Sequence, residues 1–231
     1  MVVEIVAGVL ASSLALLSDA GHMLTDAAAL ALSLAAARLA QRGASGSLTY
    51  GLGRAEILSA QTNGLTLLVL AGLIIYAAIG RLVSPPEVKG GVVLAVALAG
   101  IPLNLVAARI LAGGHGHGHG HGHERSLNVE GSYRHILTDL YGFIATAVAA
   151  VVIIATGFDR ADAIASLLIA ALMLRAAYSL LQASGRVFME AAPAGLDPSE
   201  IGRALASQPG VVEVHDLHLW AMSTTETALT A

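Results

Sequence analysis

His22 and Asp26 stand four residues apart in the apolar stretch Ser18 to Leu39, and His135 and Asp139 repeat the spacing more than a hundred residues later. Four residues on a helix is one turn, so each pair puts an imidazole and a carboxylate on one face. Both pairs lie near the starts of long apolar runs, where ionisable side chains are expensive and usually functional. Two helices offering one His and one Asp each supply four ligands, the number a tetrahedral Zn²⁺ site takes. Two aspartates would neutralise a bound dication in a low-dielectric interior, and without the metal protons must take its place. Imidazole ordinarily titrates near pH ~6.5, so the histidines take up protons where metal leaves. That exchange is what an antiporter needs. The donor set suits Zn²⁺ and, less selectively, Cd²⁺, Co²⁺, Mn²⁺ or Fe²⁺. The plainer alternative makes each pair a helix-end feature, with His at an interface and Asp capping or facing Arg. Duplication at matching places in two runs argues against it.

The composition says where such helices sit. Hydrophobic residues make up 56% of the 231 and charged residues 12%, against about 25% charged in a soluble domain. Mean hydropathy is +0.75. This is the composition of an integral membrane protein. The net charge of −4 offers no basic surface for nucleic acid. With no cysteine there are neither disulfides nor thiolate ligands. A membrane-embedded zinc hydrolase would need a general base such as the Glu of HExxH, and no such motif is present, so no enzyme is expected.

Six apolar runs follow one another. Residues 1–17 are shorter than the roughly 20 residues that cross a ~30 Å core, and predict a first helix whose beginning lies outside the sequence. The second run, Leu17 to Ala40, has Ser18-Asp19 as its expected N-cap. Runs three to six cover Ala55–Leu82, Gly91–Leu111, about Tyr133–Thr156 and Asp162 to about Gln182. Between the fourth and fifth lies a low-complexity His/Gly loop, 113–124. Arg38, Arg42, Arg54, Arg109, Arg125, Arg134, Arg175 and Arg186 adjoin one set of loops, and Arg81, Lys89 and Arg160 the other. The bias puts the long loops and both termini of the full-length protein in the cytoplasm. Residues 1–186 therefore form the transmembrane domain.

Residues 187–231 change character. Asp197-Pro198-Ser199-Glu200 reads as N-cap, Pro at N1 and acidic first turn, predicting a helix from Pro198 to about Ser207. Val211–Met222 alternates like a strand. A helix and a strand in about 45 residues read as part of a larger α+β cytoplasmic domain, ending in a second strand.

Four segments in order, SLALLSDAGHMLTDAAAL, YGLGRAEILSAQTNG, SYRHILTDLYG and VVEVHDLHLW, resemble the zinc-transporting branch of the cation diffusion facilitator family. The resemblance covers nearly the whole chain. It implies an all-α bundle of six transmembrane helices, the first incomplete here, and a truncated ferredoxin-like cytoplasmic domain. It also implies a homodimer in the inner or plasma membrane, in contact with lipid, that exchanges cytoplasmic metal for protons. The family's transport ligands fall on His22, Asp26, His135 and Asp139, and His at the first position resembles the zinc-selective members. Zn²⁺, with Cd²⁺ or Co²⁺ as alternatives, is substrate; no organic cofactor is implied. The resemblance further points to His215 as a regulatory ligand.

Other candidates are weaker. His115, His117, His119, His121 and His123 alternate with glycine, cannot bury a core, and read as weak metal binders. His215 and His218 would face opposite sides of a strand, while His218 and Trp220 would share a packing face. Asn63 and Asn104 either bond between helices or line a cation path. Asp19 and Asp162 either line an exit vestibule or cap helices. Arg54 and Glu56 are an expected ion pair, and Glu4 is not ranked as a ligand. The rival to a carrier is a membrane metal sensor or store, in which the His loop and C-terminal domain matter and the bundle is inert.

Overall fold

A computed structural model describes residues 1–113, 127–223 and 226–231, with backbone alone for 111–113 and 127–135. Among the described residues, seven helices and two strands follow in order: α1 Val2–Ala11, α2 Leu14–Ala40, α3 Arg54–Val83, α4 Gly90–Gly113, α5 Leu127–Thr156, α6 Arg160–Phe188, α7 Pro198–Ala206, β1 His218–Ala221 and β2 Thr227–Thr230. Among the described residues, α2 to α6 are long and apolar enough to cross a membrane, and α1 is shorter. The architecture is an α-helical transmembrane bundle with a small antiparallel sheet near the C-terminus. Large apolar side chains such as Leu73, Val148 and Ile154 are exposed, while Ala163, Ala170 and Ala177, seven residues apart on α6, are buried. Small residues inside and large ones outside is the pattern of helices whose solvent is lipid.

The helices run past the apolar runs that announce them. α5 starts at Leu127 and α6 continues to Phe188, each about six residues beyond expectation. Bilayer thickness limits the apolar stretch and leaves the helix free to extend into water.

The start of α2 departs from the reading more sharply. Ser18-Asp19 is not its N-cap: the helix begins at Leu14. Ser12 adopts φ 56° and closes α1, with the Ser13 N–H donating to Gly8 O at 2.9 Å and the Ser12 N–H to Val9 O at 3.2 Å. This is a Schellman closure with Ser in the left-handed position. Ser13 Oγ then accepts the Leu16 N–H at 3.2 Å, the bond that defines an N-cap. Ser18, now inside α2, donates to Leu14 O at 2.7 Å.

Two compact units divide the chain. The first comprises Met1–Leu24 and Leu68–Arg175. In it α4 and α5 pack closely and antiparallel. A Cβ at Gly90 would come within 3.2 Å of Ala150 O, and one at Gly100 within 2.4 Å of the Phe143 ring. Three turns meet at one end of this unit: the Lys89 N–H donates to Ala11 O at 3.1 Å, Val88 N–H to Asp159 Oδ1 at 3.1 Å, and Arg160 Nε to Leu82 O at 2.8 Å.

The second unit comprises Thr25–Leu67 and Ala176–Ala231. Here α3 and the end of α6 are held close at Gly64, whose added Cβ would lie 3.0 Å from Leu181 Cγ, and by a hydrogen bond from Ser184 Oγ to Gln61 Oε1. Asp197 caps α7 by accepting the Ser199 N–H at 2.9 Å, as the sequence predicts. The extended stretch is shorter than expected, because Asp216 turns the backbone to φ 52°. Only His218–Ala221 forms a strand, paired antiparallel with β2 through His218↔Thr230 and Ala221↔Thr227. His215 therefore precedes the strand, and the opposite-faces argument does not apply to it. Leu219 is the buried residue of β1, and His218 is exposed; the expected His218–Trp220 packing face is replaced by Leu219.

Candidate functional site

α2 and α5 bring His22 and Asp139 together. His22 Nε2 lies 3.8 Å from Asp139 Oδ1, and the two side chains are 7% and 14% exposed. One turn toward the start of α2, Asp19 is buried, with its Oδ1 3.2 Å from where a Gly142 Cβ would stand. Asp19 thus faces Gly142 and His22 faces Asp139, so the two helices cross with opposite chain directions. Gly142 lets the α5 backbone approach the Asp19 carboxylate.

Phe143 orients this face of α5. Residues on a helix step by about 100°, which places Phe143 about 40° to one side of Asp139 and Gly142 about 60° to the other. Phe143 is buried against the notch at Gly100. Its packing on α4 turns Asp139 and Gly142 toward α2. The aromatic residue was not singled out from the sequence, although its place four residues after Asp139 is the signal that marks it.

Buried carboxylates beside an imidazole are groups whose chemistry is able to receive positive charge. Within a low-dielectric interior the interaction of such groups with a dication is strengthened. An imidazole nitrogen and carboxylate oxygens are the donors Zn²⁺ prefers when no thiolate is offered.

The other predicted residues are placed as follows. Asp26 lies one turn beyond His22 on α2, and His135 one turn before Asp139 on α5, where only the backbone is described. Among the described residues no three His, Asp or Glu side chains converge as a metal-holding group. His115, His117, His119, His121 and His123 lie outside the described residues. His215 Nδ1 is 3.1 Å from Asp216 Oδ2 and its Nε2 is 3.9 Å from Glu213 Oε1, all three side chains largely exposed.

Neither asparagine forms an interhelical bond within the described residues. Asn104 Nδ2 donates to Gly100 O of its own helix at 3.2 Å. Asn63 Oδ1 is buried and accepts no hydrogen bond. Arg54 Nη2 lies 3.9 Å from Glu190 Oε1, an exposed pair. Glu4 Oε2 lies 3.0 Å from the amino group of Met1. Asp162 caps no part of its own helix: its carboxylate is spent on α2, accepting the Leu14 N–H at 2.6 Å.

Among the described residues, five helices long and apolar enough to cross a membrane define a multi-pass membrane protein, with a buried imidazole–carboxylate pair between two of them. The family described as the cation efflux transmembrane domain matches residues 1–189. Among similar proteins is the cadmium, cobalt and zinc/H(+)-K(+) antiporter of Bacillus subtilis, 38% identical over 229 residues, covering 99% of this chain and 72% of that protein. The metal cation efflux system protein CzcD of Cupriavidus metallidurans is 38% identical over 230 residues, covering 100% and 70%. The zinc transporter ZitB of Escherichia coli is 40% identical over 221 residues, covering 95% and 68%. The chain belongs to the cation diffusion facilitator family. It is accordingly a metal cation efflux transporter and not an enzyme.

Proposed function

We propose that this protein exports Zn²⁺ in exchange for protons, using His22, Asp26, His135 and Asp139 as the four ligands. The observation that carries the reading is the 3.8 Å approach of His22 to Asp139 across two spans. Ionisable groups buried this way at membrane depth mark ion paths. The one-turn spacing adds Asp26 and His135 to the same helix faces. Zn²⁺ entering from the cytoplasm replaces protons on the imidazoles and carboxylates. Rocking of the helices about the site then opens it outward, and returning protons discharge the metal and reset the carrier. The names of the relatives support this reading: one is a zinc transporter, and another is named a cadmium, cobalt and zinc/H(+)-K(+) antiporter. We place the protein in the inner or plasma membrane as a homodimer, with residues 1–186 as its transmembrane domain and residues 187–231 within a cytoplasmic domain. His215 and the five loop histidines are accessory metal binders in this scheme.

The test is Zn²⁺ flux into proteoliposomes under an imposed pH gradient, comparing the full-length protein with Asp139→Ala. Flux that follows the gradient and falls at least about a hundredfold in the variant, as losing a ligand from a four-coordinate site entails, supports the exchanger. Zn²⁺ binding without flux in the unsubstituted protein overturns it and leaves a sensor or store.

A further inference from the structure

At the end of the bundle where three turns meet, Asp162 is 1% exposed. Its carboxylate accepts hydrogen bonds from Ser13 Oγ, from the Leu14 N–H at 2.6 Å and from the Ala15 N–H at 3.4 Å. Arg81 Nη1 lies 3.6 Å from the same carboxylate and donates to Ser12 O. Leu14 itself packs with Ala78 of α3 and Ala163 of α6. The opening N–H groups of a helix have no acceptor within it, and negative charge there is favoured by the helix dipole. For α2 that acceptor comes from α6, nearly 150 residues away in sequence. Ser13 alone would cap the helix locally. A carboxylate from another helix does something a local cap does not: it ties the first turn of α2 to two other spans.

We infer that Asp162 is a positioning residue for the metal site, holding the first turn of α2 so that His22 stays opposite Asp139. This rests on the reading of His22 and Asp139 as ligands. Leu14 and His22 are eight residues apart, about 12 Å along a stiff helix. A tilt or rotation admitted at the first turn is therefore carried to the imidazole. Metal ligands must stay within about 0.5 Å of productive geometry, so a loosened anchor weakens coordination before it unfolds the bundle. The neighbouring tie from Arg160 Nε to Leu82 O knits the same end of the molecule without touching α2. It is the internal control.

The experiment uses the full-length protein in detergent and in proteoliposomes, with Co²⁺ as spectroscopic probe and Zn²⁺ as transported ion. The Co²⁺ d–d spectrum is read as the difference from His22→Ala, which subtracts binding elsewhere on the chain. Asp162→Asn keeps the shape but removes the negative charge and turns one acceptor oxygen into a donor, so that one of the two sides of the carboxylate, toward the Leu14 N–H or toward Ser13 Oγ and the Ala15 N–H, loses its acceptor. Its KM for Zn²⁺ should rise about tenfold, the low end of what removing an outer support costs a metal site, and the tetrahedral Co²⁺ bands should weaken. Arg160→Gln should lower thermal stability with KM and spectrum unchanged. Ser13→Ala, which leaves the carboxylate in place, should raise KM by a smaller factor, and it carries the test if Asp162→Asn does not fold. If Asp162→Asn and Ser13→Ala lower only the melting temperature, or if Arg160→Gln shifts KM as much, the positioning role is overturned. If His22→Ala leaves the Co²⁺ spectrum intact, the ligand reading fails instead, and the two failures are distinguished.

Discussion

At the scale of single residues, the chemistry rests on which atoms the two spans present to one another. In the proposed site His22 offers nitrogen and Asp139 oxygen, 3.8 Å apart, a mixed set suited to borderline metals. Replacing the imidazole with a carboxylate makes the set harder, and carboxylate-rich sites suit Mn²⁺ more than imidazole sites do. His22→Asp should therefore keep some transport while shifting the Mn²⁺/Zn²⁺ affinity ratio upward by about tenfold, measured by competition binding on the purified protein. An unchanged ratio would show that His22 does not contribute to selection. The His and Asp spacing was legible because chemistry this expensive in a membrane stands out against an Ala/Leu background. Which helix start Asp162 serves was not. A carboxylate near a helix start looks the same in sequence whether it caps its own helix or another one.

At the scale of elements, the contact between α4 and α5 decides where Asp139 points. Phe143 fills the space that a side chain at Gly100 would need, with ring atoms 2.4 to 2.6 Å from the ideal Cβ position. Gly100→Ala must displace the ring, and overpacking of this kind costs about 1–3 kcal/mol. A lower melting temperature in detergent together with weaker Zn²⁺ binding is the expected result, because the displaced ring rotates the Asp139 face. Unchanged binding at lowered stability would separate the packing from the site. Helix existence was readable from apolar runs and Gly/Pro breaks, since lipid demands long uninterrupted hydrogen-bonded segments. Helix boundaries were less so. The start of α2 moved because Ser12 takes a left-handed conformation and Ser13 caps, and both serines sit inside an apolar context that masks them. The strand at Val211–Met222 shortened because Asp216 adopts positive φ, which alternation alone does not reveal.

At the scale of the whole molecule, the proposed orientation follows from arginine and lysine placement. The chain has no cysteine, so single introduced thiols report sidedness without background. Ser47→Cys, exposed between α2 and α3, should react with an impermeant maleimide only from the cytoplasmic side. Ser84→Cys, exposed after α3, should react only from the opposite side. Reversed labelling would invert the proposed direction of export. The sequence by itself determined the membrane class, the number of apolar runs and the paired His–Asp spacing, because composition and periodicity are local properties and the bilayer punishes exceptions to them. Only the tertiary structure decided which helices meet, that Gly142 admits Asp19 beside the His22–Asp139 contact, and that a carboxylate from α6 accepts the first N–H groups of α2 alongside the Ser13 cap. Those outcomes depend on side chains far apart in sequence arriving at one place, and no local pattern encodes that arrival.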